Sequence, residues 1–187
     1  TARSGTRLGP RGIREASTLL SDGLKGTYNP ERDITYLDEA FRLVDYGDVD
    51  IIHGDVEKSF SNIEYAISTI AGGDAIPVTI GGDHSITIPV LQALKRHSDI
   101  CLVHLDAHLD WSNNPGGQKY GHGSPVRRAF EMNHISQIIQ LGIRGLGSSK
   151  AEDFAEAKSK GSRLYTVQDI RSKDLDHFIS VIPEKKI

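Results

Sequence analysis

The sequence has few of the features that mark membrane, secreted or nucleic-acid-binding proteins. Cys101 is its one cysteine, so no internal disulfide can form, which is typical of a protein in a reducing cytoplasm. No apolar run approaches the roughly 18 residues of a membrane span. The 22 Lys and Arg against 25 Asp and Glu give a net charge of −3 without a basic block. We therefore expect a cytoplasmic protein that binds neither membranes nor nucleic acids.

The remaining composition is that of one globular domain. The 187 residues, of which 37% are hydrophobic and 25% charged, suffice for one hydrophobic core. There is no internal repeat, low-complexity tract or Pro/Ser linker, so we assign residues 1–187 to a single domain. The chain begins at Thr1 and stops at Ile187 after a charged run. We expect it to be a fragment of a longer protein.

Short apolar runs alternate along the chain with stretches of helical spacing. Each run is too short for a helix and is typical of a buried strand. The predicted strands are Val49–Ile52, Ile76–Ile80, Ile100–Leu105, Gln137–Leu141 and Arg163–Val167. The predicted helices are Glu57–Ile70, Thr87–Arg96, Pro125–Met132 and Ala151–Lys160. This alternation predicts a parallel sheet with helices on both faces, whose ligands bind in loops that follow the strands.

The strongest chemical signal is VHLDAHLD at residues 103–110, at the end of a predicted strand. In extended backbone Asp106, His108 and Asp110 would point to the same side. Two carboxylates and an imidazole supply ligands suited to Mn²⁺ or another divalent first-row metal. A solvated acidic turn is the alternative. His104 would share this face but lies deeper in the strand, so we interpret it as a packed residue rather than a ligand.

A second loop, GGDHS at residues 81–85, also follows a predicted strand and opens a helix. The glycines permit a tight turn, and Asp83 or Ser85 can cap the helix. His84 is then left at the strand end, where it can reach the same cation as the residues after the neighbouring strand. Asp83 is a candidate to orient an imidazole. A plain strand-to-helix turn is the alternative.

The third loop is KYGHGSPVRRA at residues 119–129. His122 is flanked by glycines, which allow the backbone to bring it close to a substrate, so it is a candidate proton donor to a leaving amine. Ser124 and Pro125 predict a helix start with Ser124 as its N-cap. A surface histidine without a catalytic role is the alternative.

Together these motifs resemble the ureohydrolase family, which includes arginase and agmatinase. GTRLGPRGIR at residues 5–14 and DYGDV at 45–49 precede them, and QLGIRG at 140–145 follows. The two early segments resemble agmatinase more closely than arginase. The resemblance implies a three-layer, arginase-like α/β fold with a central parallel sheet flanked by helices.

The resemblance also implies a centre of two Mn²⁺ ions that hydrolyses a guanidino compound to urea and an amine. His84, Asp106 and Asp110 match ligands of one metal. His108 matches a ligand of the second, and Asp106 bridges the two. His122 matches the family's catalytic histidine. Agmatine, which would yield putrescine, is the substrate that the motifs favour, and the family's trimers and hexamers imply a homo-oligomer.

One family segment has no counterpart in the sequence. The Ser-Phe-Asp-x-Asp segment, whose aspartates complete both metals, is absent, which agrees with the expected truncation. Asp174-Leu175-Asp176 follows a polar stretch, so we assign it no ligand role. Three alternatives stay open: a ureohydrolase for another guanidino acid or for guanidine, a deacetylase or other amidohydrolase with one Zn²⁺, and a catalytically inactive relative that serves as a subunit.

Overall fold

A computed structural model describes residues 5–18, 26–38, 41–147 and 149–184. The helices and strands are, in chain order, α1 (Gly9–Ser17), β1 (Thr27–Asn29), β2 (Ile34–Tyr36), α2 (Val56–Gly72), α3 (Thr87–Ala93), β3 (Ile100–Leu105), α4 (Pro125–Phe130), β4 (Ile135–Ile143), α5 (Ala151–Ser159), β5 (Arg163–Thr166), α6 (Val167–Ser172) and α7 (Leu175–Val181). Short 3₁₀ turns span Thr6–Leu8, His84–Ile86 and Pro115–Gly117.

The sheet at the centre of the fold has three parallel strands in the order β3-β4-β5. Helix α4 connects β3 to β4, and α5 connects β4 to β5, because parallel neighbours need a crossover connection. The predicted α/β class and parallel arrangement are therefore confirmed. The short strands β1 and β2 form a separate antiparallel pair, which the periodicity did not predict.

Strand β4 is buried on both of its faces. Ile138 and Gln140 point to one face and Ile139 to the other, because successive side chains of a strand alternate. The first face packs against α3, α4 and α5 through one apolar cluster. Its buried members are Leu91, Leu109, Trp111, Val126, Ala129, Ile135, Ile138 and Ala157. Since this cluster includes residues that directly follow β3, the core anchors the loop after that strand.

Two predicted strands are wrong. Neither Val49–Ile52 nor Ile76–Ile80 pairs with another strand in the described part of the chain. Within the second segment, Ile76 is 75% and Val78 78% exposed. An apolar run is a local signal, whereas a buried strand also needs hydrogen-bonding neighbours and apolar cover. The described residues supply neither to Ile76–Ile80.

The other predicted helices and strands are confirmed, several with shifted ends. Capping residues explain where some of the helices begin. β4 extends beyond Gln137–Leu141 at both ends, and α3 stops at Ala93. Helix α2 begins after Asp55, whose carboxylate accepts a backbone N–H at its first turn. Asp174 caps α7 in the same way, which agrees with the absence of a ligand role. None of the described helices has the length and apolar character needed to cross a membrane.

Shortening a buried side chain at the centre of β4 should destabilise the protein. Ile139 is fully buried and lies opposite Val103 and Arg163 of the adjacent strands, so Ile139→Ala leaves a cavity. We expect it to lower the free energy of unfolding by about 2–5 kcal/mol. Chemical denaturation of the complete protein measures the loss. The exposed Glu152→Gln serves as control and should stay within about 0.5 kcal/mol, and an equally small loss for Ile139→Ala would contradict the packing described above.

Candidate metal centre

Four side chains converge at the carboxyl end of β3: His84, His104, Asp106 and Asp110. One potential ligand atom of each lies within 4.8 Å of those of the others. His104 belongs to β3, the aspartates to the loop that follows it, and His84 to the 3₁₀ turn before α3. This edge of a parallel sheet is where such folds bind their ligands. Of the four predicted metal ligands, three belong to this cluster, and His108 does not.

The turn before α3 presents His84 because Asp83 organises it. The Asp83 carboxylate accepts the backbone N–H of Ser85 at 2.9 Å and also its hydroxyl. This confirms Asp83 as a capping residue. Burial opposes ionisation, but the hydrogen bonds from Ser85 outweigh it and hold the pKa of the Asp83 carboxyl below its usual value. Its hydrogen bonds serve the turn rather than an imidazole.

The loop after β3 departs from the predicted extended geometry. The Asp106 carboxylate accepts the backbone N–H of His108 at 2.8 Å, which turns the chain. Asp110 has a φ of 50°, in the left-handed region that Asp adopts more readily than most residues. As a result Asp106 and Asp110 face the cluster, Leu109 is fully buried, and the His108 side chain is 60% exposed. The prediction that Asp106, His108 and Asp110 share one side is therefore wrong.

The end of β4 holds this loop in place. The Leu141 carbonyl accepts the N–H of Asp106 at 3.1 Å, and the N–H of Arg144 donates to the carbonyl of Ala107 at 2.9 Å. Between them, Gly142 has a φ of 102°, and a Cβ there would lie 3.2 Å from the Asp106 carbonyl oxygen. Both the backbone conformation and the close approach require glycine at this position.

The ligand atoms of the cluster surround one small space. His84 Nδ1 lies 2.6 Å from Asp110 Oδ2 and 3.9 Å from Asp106 Oδ2. Despite the short contact, Asp110 Oδ2 is buried and has no aligned hydrogen-bond donor among the described residues. Ligands of a first-row divalent ion with bonds of about 2.1 Å lie about 3 Å apart. The donor set and the buried carboxylate oxygen without a donor therefore fit a divalent cation.

Charge and burial act on the His84–Asp110 contact in opposite directions. Burial alone would raise the pKa of Asp110, but the imidazoles of His104 and His84 outweigh it and lower that pKa to about 2. The contact with Asp110 raises the pKa of His84 above its usual value, against the opposing effect of burial. Without a metal this contact therefore favours a carboxylate beside an imidazolium. A divalent cation would take the place of the imidazole proton.

His108 lies beside the cluster on the far side of Asp106. Its Nδ1 is 3.0 Å from Asp106 Oδ1, whereas His84 and His104 approach Oδ2 of the same carboxylate. The two oxygens of Asp106 therefore face different histidines. This arrangement is the one that a carboxylate shared by two cations would need.

His122 lies in a tight turn that precedes α4 and is exposed. The N–H of Ser124 donates to the carbonyl of Gly121 at 3.1 Å and closes this turn. The His122 imidazole is near enough to Asp83 to contribute to lowering the pKa of the Asp83 carboxyl. The helix starts at Pro125 with Ser124 at the N-cap position, as predicted, but the buried Ser124 hydroxyl forms no capping hydrogen bond in the described structure.

Sequence reasoning missed the polar contacts that anchor the loop from within the core. The Trp111 indole N–H donates to Glu156 at 3.2 Å, and Arg127 donates to the same carboxylate at 2.6 Å. The backbone N–H of Arg127 also donates to the carbonyl of Asp110 at 3.1 Å. Trp111 is only 1% exposed, so it packs in the core. No local sequence pattern predicts the contact between Trp111 and Glu156, because the two residues are far apart in the chain.

Comparison with known proteins identifies relatives over nearly the whole chain. A family model described as Arginase family matches residues 1–186. A guanidinobutyrase from Pseudomonas aeruginosa is 35% identical over 186 residues, which cover 98% of this chain and 56% of that protein. An agmatinase from Bacillus cereus is 32% identical over 167 residues, 87% of this chain and 53% of that protein. The chain spans about half the length of the curated relatives that it matches.

Solved structures share the fold. The crystal structure of formimidoylglutamase from Bacillus subtilis matches with a TM-score of 0.79 at 30% identity, over 96% of this chain and 55% of that chain. The predicted arginase-like α/β fold is thereby confirmed, as is the resemblance on which it was based.

The cluster predicts that Mn²⁺ stabilises the protein. At a Mn²⁺ concentration of 100 times Kd, binding should add about 2.7 kcal/mol of stability and raise the Tm. Asp110→Asn keeps the size of the side chain but removes an anionic ligand, so we expect the rise in Tm to disappear. Thermal unfolding of the metal-free complete protein, with and without Mn²⁺, measures it. The exposed Asp74→Asn is the matched control, and an equal rise in Tm for both variants would contradict a cation site at Asp110.

Proposed function

The chain belongs to the arginase family, and on this premise we propose that the complete protein is a metal-dependent ureohydrolase that splits a guanidino compound into urea and an amine. The observation that carries the proposal is the cluster of two carboxylates and two imidazoles at the carboxyl end of β3. Relatives named guanidinobutyrase and agmatinase support the same reaction class. We further propose a homo-oligomer, as the family resemblance implies, and a cytoplasmic location, which the single cysteine favours.

We assign the metal ligands from the geometry of the cluster together with the family motifs. His84 Nδ1, Asp106 Oδ2 and Asp110 Oδ2 would hold one cation, and Asp106 Oδ1 with His108 Nδ1 would hold a second. This mixture of oxygen and nitrogen ligands suits Mn²⁺. When bound, a pair of such ions lowers the pKa of water toward neutrality. The missing Asp-x-Asp segment of the family would complete both sites in the complete protein.

A residue of this chain would carry the proton that the reaction needs. The leaving nitrogen needs a proton, because a neutral amine leaves far more readily than an amide anion. We assign the delivery of this proton to His122, which lies in a glycine-flanked turn and matches the family's catalytic histidine.

Agmatine is the substrate favoured by the early motifs, and a guanidino acid is the second candidate. Lys119 is the one charged residue between Asp110 and His122 in the sequence. A cation on this loop attracts a carboxylate tail and repels the ammonium of agmatine. The relative named guanidinobutyrase agrees with the second candidate. These two substrates differ mainly in the charge of the tail, so a comparison of their rates distinguishes the candidates.

The complete Mn²⁺-loaded protein should release urea from one member of a small panel. The panel contains agmatine, guanidinobutyrate, guanidinopropionate, arginine and guanidine, and the readout is kcat/KM for urea release. If the acid is preferred, Lys119→Ala should lower kcat/KM for guanidinobutyrate more than for agmatine, because only the acid gains from the positive charge. If the metal-loaded protein released no urea from any of the five compounds, the proposed reaction would be contradicted.

His122 and Asp106 should separate catalysis from metal binding. We expect His122→Ala to lower kcat by about 10²–10⁴ because the leaving nitrogen loses its proton donor, while bound Mn²⁺ is retained. Asp106→Asn should lose both activity and bound Mn²⁺, since the carboxylate is a proposed ligand of both metals. Steady-state kinetics and elemental analysis measure these effects, with the exposed His97→Ala as control. Unchanged kcat in His122→Ala would refute its proposed role.

A further inference from the structure

A buried glutamine connects the sheet to the metal cluster. Gln140 lies at the centre of β4, is fully buried, and is opposite His104 in the β3–β4 register. Its amide nitrogen donates to the carbonyl of Leu109 at 2.9 Å and lies 3.1 Å from His104 Nδ1. Its amide oxygen accepts the hydroxyl of Ser162 at 3.1 Å. The whole amide group is therefore engaged in hydrogen bonds.

These partners determine the orientation of the amide. The Leu109 carbonyl can only accept a hydrogen bond, so the amide atom beside it is the nitrogen. The second N–H of that nitrogen faces His104 Nδ1, which must therefore accept. In a neutral imidazole whose Nδ1 accepts, the hydrogen is carried by Nε2. Gln140 thus selects the tautomer of His104.

The selected tautomer directs an N–H into the cluster. His104 Nε2 lies 3.6 Å from Asp110 Oδ2 and 3.7 Å from Asp106 Oδ2, and it is buried without another partner among the described residues. A ring nitrogen that carries hydrogen has no lone pair for a metal. Histidines that bind metals usually donate their other ring N–H, whereas the other ring nitrogen of His104 accepts. At His84 the nitrogen that faces the aspartates is instead Nδ1, which lies 2.6 Å from Asp110 Oδ2.

We propose that His104 is not a metal ligand but a positioning residue, which Gln140 holds with its Nε2–H directed at the Oδ2 atoms of Asp106 and Asp110. The inference rests on the proposed metal site and deepens it. The N–H dipole attracts both carboxylate oxygens and offsets their mutual repulsion. The two oxygens are thereby kept at a separation that suits a cation before it binds.

The first test measures the Kd of Mn²⁺ by calorimetry on the complete protein. His104→Gln can place an amide N–H near the position of Nε2, so we expect a Kd within about fivefold of the wild-type value. His104→Leu removes the donor and should weaken binding by about 10–100-fold. Gln140→Glu should weaken it similarly, because a carboxylate cannot donate to Nδ1 and favours the opposite tautomer. If Gln140→Glu does not fold, Gln140→Met removes the donor at similar volume.

Two reference variants decide between the explanations. Asp110→Asn measures the loss of Mn²⁺ affinity caused by removing a proposed ligand. An equally large loss of affinity for His104→Gln would show that His104 is itself a ligand and overturn the proposal. Ile139→Ala perturbs the opposite face of β4 and should reduce stability while the Kd stays within about threefold, since it lies outside the network. An equal rise in Kd for Ile139→Ala and Gln140→Glu would overturn the positioning role.

The second test observes the tautomer directly. In the metal-free complete protein with ¹⁵N-labelled histidine, NMR should show the hydrogen of His104 on Nε2, and on Nδ1 in Gln140→Glu. A hydrogen on Nδ1 in the wild-type protein would overturn the proposal. This readout does not depend on urea release. If the proposed reaction fails, the kinetic assay shows it, whereas the NMR spectrum shows whether the proposed tautomer is present.

Discussion

Strand β4 determines where the metal cluster can form. Its carboxyl end fixes the loop after β3 through Leu141, Gly142 and Arg144, and its centre reaches the same loop through the Gln140 side chain. The loop carries both aspartates of the cluster, so their positions follow from hydrogen bonds to a strand that is buried on both faces. A site supported by a rigid strand holds its ligands more closely than a site built on loops alone.

Bringing two carboxylates together in the cluster costs free energy. Asp110 is only 7% exposed, and it shares a small space with a second carboxylate, so their repulsion opposes folding in the absence of a cation. The imidazoles of His84 and His104 oppose this repulsion, and their effect is visible in the lowered pKa of Asp110. The surrounding apolar core, with Leu109 and Trp111 fully buried on either side of Asp110, stabilises the loop against it.

Particular elements show how far local patterns reach. The runs Ile100–Leu105 and Arg163–Thr166 form strands that pair with β4, while the apolar run Ile76–Ile80 remains unpaired and exposed in the described structure. Pairing depends on neighbours that a local pattern does not contain. The predicted alternation of Asp106, His108 and Asp110 failed for a related reason, since hydrogen bonds within the loop and from β4 replace extended backbone there.

The sequence by itself determined the alternating α/β order, the cap at Asp83, and the residue types of the metal motif. These depend on interactions between residues a few positions apart, which a single stretch of sequence contains. Tertiary structure decided the rest. It brought His104 into the cluster, turned His108 outward, and linked Gln140 to the loop after β3. Those outcomes depend on strand register and on contacts between segments far apart in the chain, which only packing of the whole sheet brings together.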